Sequence, residues 1–138
     1  SEYDCSRSLL ALQSRITEST ELSLSDSLGI ETGDMHRMTE NAKWLSYCLR
    51  EISKHVERAD LLEVLGDLRN RIVYGIRDEL LDLVRVKGIG RVRARILFKH
   101  GIKSLDDLRK IPVNKLAEID KIGSTIADNI KAELRRVR

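Results

Sequence analysis

The sequence has 138 residues, of which 34% are charged and 41% hydrophobic, and its formal net charge is +3. It contains one Pro, eight Gly, one Trp, one Phe and three Tyr, and its two cysteines, Cys5 and Cys48, form no metal-ligand or redox motif. No apolar run approaches the ~18 residues of a membrane span and no secretory signal is visible, so we expect an intracellular protein rather than a secreted, membrane, disulfide-rich or disordered one.

Amphipathic helices are predicted along the first half of the chain. A helix around residues 9–16 comes first, and a short helix around residues 22–28 ends at Gly29, where glycine permits the left-handed conformation of a helix stop. A long helix capped by Thr32 or Asp34 follows. Its apolar positions alternate in steps of four and three, which predicts one stripe facing a core: Met38, Ala42, Leu45, Leu49, Ile52 and Val56.

Shorter helices are predicted in the rest of the chain. Asp60 caps a helix that ends at Gly75, and one or two helical turns cover residues 78–84. Two helix-hairpin units follow, joined by a segment in which Ser104 is the expected N-cap. No alternating pattern is long enough for a strand. The sequence therefore predicts an all-α fold, with a helical bundle over residues 1–84 and a small tandem helix-hairpin-helix domain over residues 85–138.

Charge is distributed unevenly between these two parts. Residues 1–84 hold 10 Lys or Arg against 16 Asp or Glu, whereas residues 85–138 hold 15 against 6. Such a field attracts polyanions. An anionic membrane surface would require aromatic anchors, and Phe98 is the only Phe or Trp in the basic part. Nucleic acid is therefore the preferred partner, in a cytoplasmic and nucleoid-associated protein without membrane contact; a merely solvated basic face is the alternative.

The strongest motif of the basic part is a repeated turn before a helix. In the first copy, Gly88-Ile89-Gly90, the glycines permit a sharp turn and Ile89 is expected in the core, so that backbone N–H groups form a phosphate site. The second copy, Lys121-Ile122-Gly123, lies 33 residues later, and its lysine in place of glycine predicts a weaker hairpin. The pair is typical of helix-hairpin-helix modules that bind the DNA backbone. Alternatively, it serves only to build a compact bundle.

The arginines after the first turn point in two directions. Arg91 and Arg95 lie four residues apart and share a helix face, which places them beside phosphates, while Arg93 points away toward a different strand or a neighbouring domain. The predicted contacts in the hairpins and their basic flank are Lys87, Gly88, Ile89, Gly90, Arg91, Arg93, Arg95, Gly123 and Ser124.

The only tryptophan lies away from the predicted core stripe. On a helical wheel at ~100° per residue, Trp44 falls within ~20° of Arg37 and ~120° from the centre of the stripe, with Asn41 on the same face. A ring aligned with a guanidinium and an amide suits stacking on unpaired bases. Alternatively, this helix is buried on two sides and Trp44 packs in a second interface.

Four segments, in this order, resemble the C-terminal end of the archaeal superfamily-two, Ski-type DNA helicases, relatives of metazoan HELQ. They are Leu28-Gly29-Ile30-Glu31-Thr32-Gly33-Asp34, Glu40-Asn41-Ala42-Lys43-Trp44-Leu45, Tyr74-Gly75-Ile76-Arg77-Asp78-Glu79-Leu80-Leu81-Asp82-Leu83-Val84 and Gly88-Ile89-Gly90-Arg91-Val92-Arg93-Ala94-Arg95. In that family, two motor domains and a winged helix precede a helical ratchet domain and a small helix-loop-helix domain. The resemblance implies that residues 1–84 are an incomplete ratchet domain.

The resemblance also implies roles for named residues. Arg37 and Trp44 match an Arg–Trp pair, seven residues apart, that engages the translocating single strand. Arg91, Arg93 and Arg95 match an Arg-x-Arg-Ala-Arg signature that grips single-stranded DNA and restrains unwinding. The parent would be a 3′–5′ DNA helicase of stalled or branched replication forks, a DNA-repair context, with ATP and magnesium as cofactors. Its motor domains and replication or repair proteins would be partners of this chain.

No catalytic or metal-binding residues are predicted in this chain. A G-x-x-x-x-G-K-[ST] phosphate loop is missing, so no ATPase activity and no cofactor are expected here. A glycosylase-like role for Asp106 or Asp107 would require a base-sized pocket from a larger domain. The sequence thus predicts a DNA-binding region of a helicase. The alternative is a protein-interaction or autoinhibitory docking module that binds no DNA.

Overall fold

The computed structural model describes residues 2–138, and the side chains of all of these except residues 2, 3, 21 and 22. Every regular element in this range is helical, which confirms the predicted all-α class. The chain divides between Asp78 and Glu79 into two compact units. This division lies six residues before the change of charge at residues 84/85, and the intervening segment contains the fully buried Leu80 and Leu83. None of the described helices is both long and apolar enough to cross a membrane.

The first unit contains four helices. They are α1 (Glu2–Ile16), α2 (Glu21–Leu28), α3 (Thr32–His55) and α4 (Ala59–Tyr74). Gly29 and Gly75 end α2 and α4 in the left-handed conformation, as predicted. The predicted caps of the two longer helices were wrong: Glu31 and Arg58 occupy those positions, and neither makes a side-chain cap bond.

The buried face of α3 differs from the predicted stripe. Leu45, Leu49, Ile52 and Val56 are each at least half exposed. The buried positions are instead Met35, Thr39, Ser46 and Ser53. Each of the three hydroxyls donates to the carbonyl four residues earlier, at 2.7 to 2.8 Å. Small side chains let a neighbouring helix approach closely, and these internal bonds remove the cost of burying an unpaired hydroxyl.

Three arginines bind the ends of helices in the first unit. Arg7 donates to the carbonyls of Leu28 and Gly29, at 3.0 and 2.6 Å. Arg15 donates to two carbonyls in the last turn of α4, at 2.7 and 2.8 Å, and Arg71 of α4 donates to the last carbonyl of α1 at 3.3 Å. These carbonyls have no partner within their own helix, and a cation is favourable beside them. The arginines therefore join α1 to α2 and α4.

The second unit is built from short helices around a compact apolar core. Two 3-10 turns, the first of which begins at the last residue of the first unit, precede four helices. The turns are Asp78–Leu80 and Leu83–Arg85, and the helices are α5 (Arg91–Lys99), α6 (Leu105–Lys110), α7 (Val113–Ala117) and α8 (Gly123–Leu134). Fully buried side chains include Leu83, Val86, Leu97, Leu108, Leu116 and Ile130. The turns before α5 and α8 also contain exposed residues.

Local polar bonds fix α6 at both ends. Ser104 is its N-cap, as predicted, and accepts from the backbone N–H of Asp107 at 3.1 Å. Asp107 in turn accepts from the N–H of Lys103 at 2.9 Å, and this bond is the main reason that its pKa is lowered. At the other end, Lys131 of α8 donates to the carbonyls of Leu108 and Ile111, and burial lowers its pKa. This cation is a structural residue.

Candidate nucleic-acid interface

The first hairpin turn, residues 86–90, has the geometry that its glycines predict. Gly88 has φ +95°, a conformation that L side chains rarely adopt, and Gly90 is the extended N-cap of α5. Ile89 is 2% exposed and its N–H donates to the Val86 carbonyl at 3.1 Å. Lys87 and Gly88 are exposed. The turn thus buries its isoleucine and presents its glycine backbone and one lysine to solvent.

The second hairpin turn, residues 119–123, repeats the buried isoleucine and its bond within the turn, but Gly123 begins α8 at φ +69°, whereas Gly90 is an extended N-cap. Ile122 is 3% exposed and its N–H donates to the Ile119 carbonyl at 3.1 Å. Lys121 has φ +65°, so it adopts the left-handed conformation that Gly88 adopts in the first copy. Gly123 and Ser124 are exposed at the start of α8. The second turn therefore has the same left-handed conformation at this position, although a lysine stands where the first turn has a glycine.

Arg93 joins the two hairpin turns through one guanidinium. Its Nη1 donates to the carbonyl of Gly88 and its Nε to the carbonyl of Lys121, both at 3.0 Å. The sequence placed Arg93 on a different face from Arg91 and Arg95. It gave no sign that this face meets the second repeat 28 residues away.

The other cations on and near α5 differ in their surroundings. Arg95 is 22% exposed, forms an ion pair with Glu79 at 2.7 Å and lies over the ring of Phe98 at 5.2 Å. Lys103 lies over the same ring at 5.0 Å. Arg91 is half-buried in the first turn of α5, and Lys87 in the preceding turn is exposed. In the predicted Arg91–Arg95 pair, Arg95 is therefore held by a carboxylate and a ring.

A second exposed group of predicted contacts lies on α3 of the first unit. Arg37 is 71% exposed and forms an ion pair with Asp34 at 2.7 Å, Asn41 is exposed, and Trp44 is 62% exposed. Tyr47, which sequence reasoning missed, stacks on Trp44 with ring centroids 6.0 Å apart and an interplanar angle of 23°. The i, i+3 spacing of the two aromatics was a usable signal. Within the first unit Trp44 is at the surface rather than in a second interface.

The carboxylates considered for catalysis have structural roles. Asp106 pairs with Arg109 at 3.2 Å, and Asp107 belongs to the cap of α6. A lowered pKa keeps Asp107 ionised and acceptor-only, which is unlike a carboxyl group tuned to accept a proton near neutral pH. The described side chains contain no group of three or more His, Cys, Asp or Glu arranged to hold a metal ion.

Comparison with known proteins gives a consistent result for both units. Residues 3–75 match the family described as archaeal helicase, domain 4, and residues 80–136 match the SAM-like helix-hairpin-helix tandem family. The chain is 36% identical over 131 residues to the ATP-dependent DNA helicase Hel308 of Pyrococcus horikoshii, covering 94% of this chain and 18% of that protein.

Two further Hel308 helicases extend the comparison. The Thermococcus kodakarensis protein is 38% identical over 120 residues, which is 86% of this chain and 11% of that protein. The Thermoplasma acidophilum protein is 34% identical over 137 residues, which is 99% of this chain and 20% of that protein. The chain thus spans between 11% and 20% of the length of these three relatives.

Proposed function

The chain belongs to the archaeal helicase domain 4 family, and we propose that it is the DNA-binding C-terminal region of an ATP-dependent DNA helicase. The observation that carries this proposal is the pair of hairpin turns in the basic unit. Both turns bury an isoleucine, adopt the left-handed conformation at the preceding residue and precede a helix at the surface. Backbone N–H groups at such sites bind phosphate oxygens without reading the base sequence.

The proposed phosphate contacts lie in both hairpins and in the basic flank of the first. Lys87 and Arg91 lie at the turn and at the start of α5, where a cation adds to the field of the helix N-terminus. Gly123 and Ser124 supply the corresponding backbone at α8. Arg95 contributes through the local field, since Glu79 holds its guanidinium.

Single-stranded DNA is the proposed ligand of α3. Trp44 and Tyr47 form an exposed two-ring ledge, and every base has a face that can stack on such a ledge. Asn41 lies one turn and Arg37 two turns before Trp44 on this side of the helix, where they can contact a base edge or a phosphate. This arrangement favours a grip on single strands, as at a stalled or branched replication fork.

Activity of the whole protein is part of the same proposal. Motor domains outside this chain would bind ATP and magnesium and drive 3′–5′ unwinding, and this chain would hold the strand without hydrolysing ATP. Replication or repair proteins are its proposed further partners.

Fluorescence anisotropy with labelled single-stranded, duplex and forked DNA, across a salt series, tests this function. Replacing Lys87 and Arg91 by Ala should weaken binding to all three DNAs and make the salt dependence shallower. Lys99→Ala, which removes an exposed charge elsewhere on α5, is the matched control. No binding by the unaltered chain at low salt would refute the proposal.

The stacking ledge has its own readout in the same assay. Trp44→Ala should cost about 1–3 kcal/mol of affinity for single strands and little for duplex. Leu45→Ala is the control, because Leu45 is 59% exposed on the same helix and lies about 100° from Trp44 around the helix axis. Equal losses for the two variants would argue against stacking.

A docking function is the second candidate, and one observation favours it. Leu45, Leu49, Ile52 and Val56 form an exposed aliphatic stripe on α3, which is unusual on a surface that meets only water or DNA. A chain that binds isolated motor domains but no DNA would support a docking or autoinhibitory role in place of DNA binding.

A further inference from the structure

We infer that Arg93 is a positioning residue that couples the two hairpin turns into one bivalent phosphate-binding unit, an inference that rests on the proposed DNA binding. The resemblance to helicases grouped Arg93 with the arginines that grip DNA. Its observed bonds assign it a different task.

Arg93 uses its donors on both hairpin turns. Arg93 extends from the first half of α5 and gives Nη1 to Gly88 and Nε to Lys121, both at 3.0 Å. A guanidinium is a small, rigid fork, so two carbonyls that share it are held at one separation and orientation. Both carbonyls belong to the residue that precedes the buried isoleucine, and both of these residues have a positive φ. The bridge therefore joins equivalent points of the two repeats.

The backbone conformation of Lys121 also requires a restraint from outside its own turn. A non-glycine residue at φ +65° is unfavourable unless its surroundings hold it there. The bond from Arg93 to its carbonyl is such a restraint, supplied by the first repeat. Gly88 reaches its own φ of +95° at little cost, because glycine has no Cβ. The second hairpin therefore depends on Arg93 more than the first.

The consequence for binding is geometric. Two weak phosphate sites at a fixed separation bind one polynucleotide with a high effective concentration for the second contact. Two independently moving turns lose that advantage although every direct contact is still present. Arg93 thus acts on affinity through the turns.

Amide hydrogen exchange of the DNA-free chain tests the coupling directly. The reporters are the N–H groups of Ile89 and Ile122, each of which bonds within its own turn. Arg93→Ala should accelerate exchange at Ile122 by about tenfold or more and at Ile89 by less, as expected when a charged hydrogen bond is lost. Arg93→Lys keeps the charge but lacks the fork, so it should resemble Arg93→Ala. Lys99→Ala should leave both amides unchanged.

A rescue variant separates coupling from general damage. Adding Lys121→Gly to Arg93→Ala removes the conformational strain, and it should restore protection at Ile122 without changing Ile89. Unchanged exchange at both turns in Arg93→Ala, or no rescue by Lys121→Gly, would overturn the inference.

DNA binding then distinguishes positioning from direct contact. If Arg93 positions the turns, Arg93→Lys should weaken binding to single strands about as much as Arg93→Ala, on the order of tenfold. If Arg93 instead contacts a phosphate, Arg93→Lys should retain most affinity and Arg93→Ala should reduce the salt slope by about one. Failure of the unaltered chain to bind any DNA would refute the proposed function, while the exchange data would still decide whether Arg93 couples the turns.

Discussion

Gly75 and Arg15 are coupled at the end of α4, and replacing Gly75 by Ala makes that coupling measurable. Gly75 has φ +68°, where a Cβ costs roughly 1–2 kcal/mol. An added Cβ would also lie 3.2 to 3.3 Å from atoms of the Arg15 side chain. Relief of this contact would displace a guanidinium that makes two bonds to carbonyls of α4, a loss of up to about 1.5–3 kcal/mol. After about 0.4–1 kcal/mol gained from a stiffer unfolded chain, we expect a net cost of about 2–4 kcal/mol.

Urea unfolding followed by far-ultraviolet circular dichroism and by Trp44 fluorescence measures this cost in the first unit. Gly75→Ala should lower the urea midpoint by about 1–2 M. In the Arg15→Ala background the added Cβ meets no guanidinium, so the same substitution should cost only about 1 kcal/mol.

Gly66→Ala in the middle of α4 is the matched control. Its Cβ would meet Arg50 at 3.9 Å, an ordinary contact, so better helix propensity should raise stability by about 0.5–1 kcal/mol. Additive effects of Gly75→Ala and Arg15→Ala in a double-mutant cycle would refute the reasoning.

Two further predictions concern α3 and α6. Ser46→Leu should destabilise the first unit by about 1–3 kcal/mol through overpacking, whereas Leu49→Gln should change its stability by less than about 0.5 kcal/mol. If urea unfolding gave the reverse order, the apolar stripe predicted from the sequence would be the core face of α3. The pKa of Asp107 is lowered in the folded state, so its contribution is present above the unfolded pKa and is lost as the pH falls through the folded one. Between about pH 6 and pH 2.5, the unaltered chain should therefore lose more stability than Asp107→Asn. Equal losses of stability in acid titrations would show that the charge of Asp107 contributes nothing to the stability of this cap.

The helical elements could be predicted because their signals are local. Gly29, Gly75 and Ser104 act through their own backbone or through residues three positions away, so the sequence reveals them. The core face of α3 could not be predicted in this way. Periodicity shows that a face is apolar but not which neighbour covers it, and here Ser46 and Ser53 satisfy their hydroxyls internally and occupy the helix contact.

The candidate site was predictable in part for a similar reason. The repeated turn, the basic flank and the aligned Arg37 and Trp44 are visible as spacings along the chain, and the structure leaves the latter two at the surface. The bonds of Arg93 to both turns and of Arg95 to Glu79 depend on how distant segments pack. A charge count treats these arginines alike, although their bonding leaves them with different roles.

The reciprocal arginines between α1 and α4 have a consequence for the order in which the chain acquires structure. Arg15 binds carbonyls 57 and 58 residues further along, and Arg71 binds one 55 residues back. During synthesis, α1 leaves the ribosome well before the last turn of α4 exists, whereas α3 and α4 are joined by a short connection. Long loop closure is slow, so the α3–α4 pair should form early and α1 should dock late. A chain that stops before Ile72 would leave Arg15 without its carbonyls and α1 open to proteases.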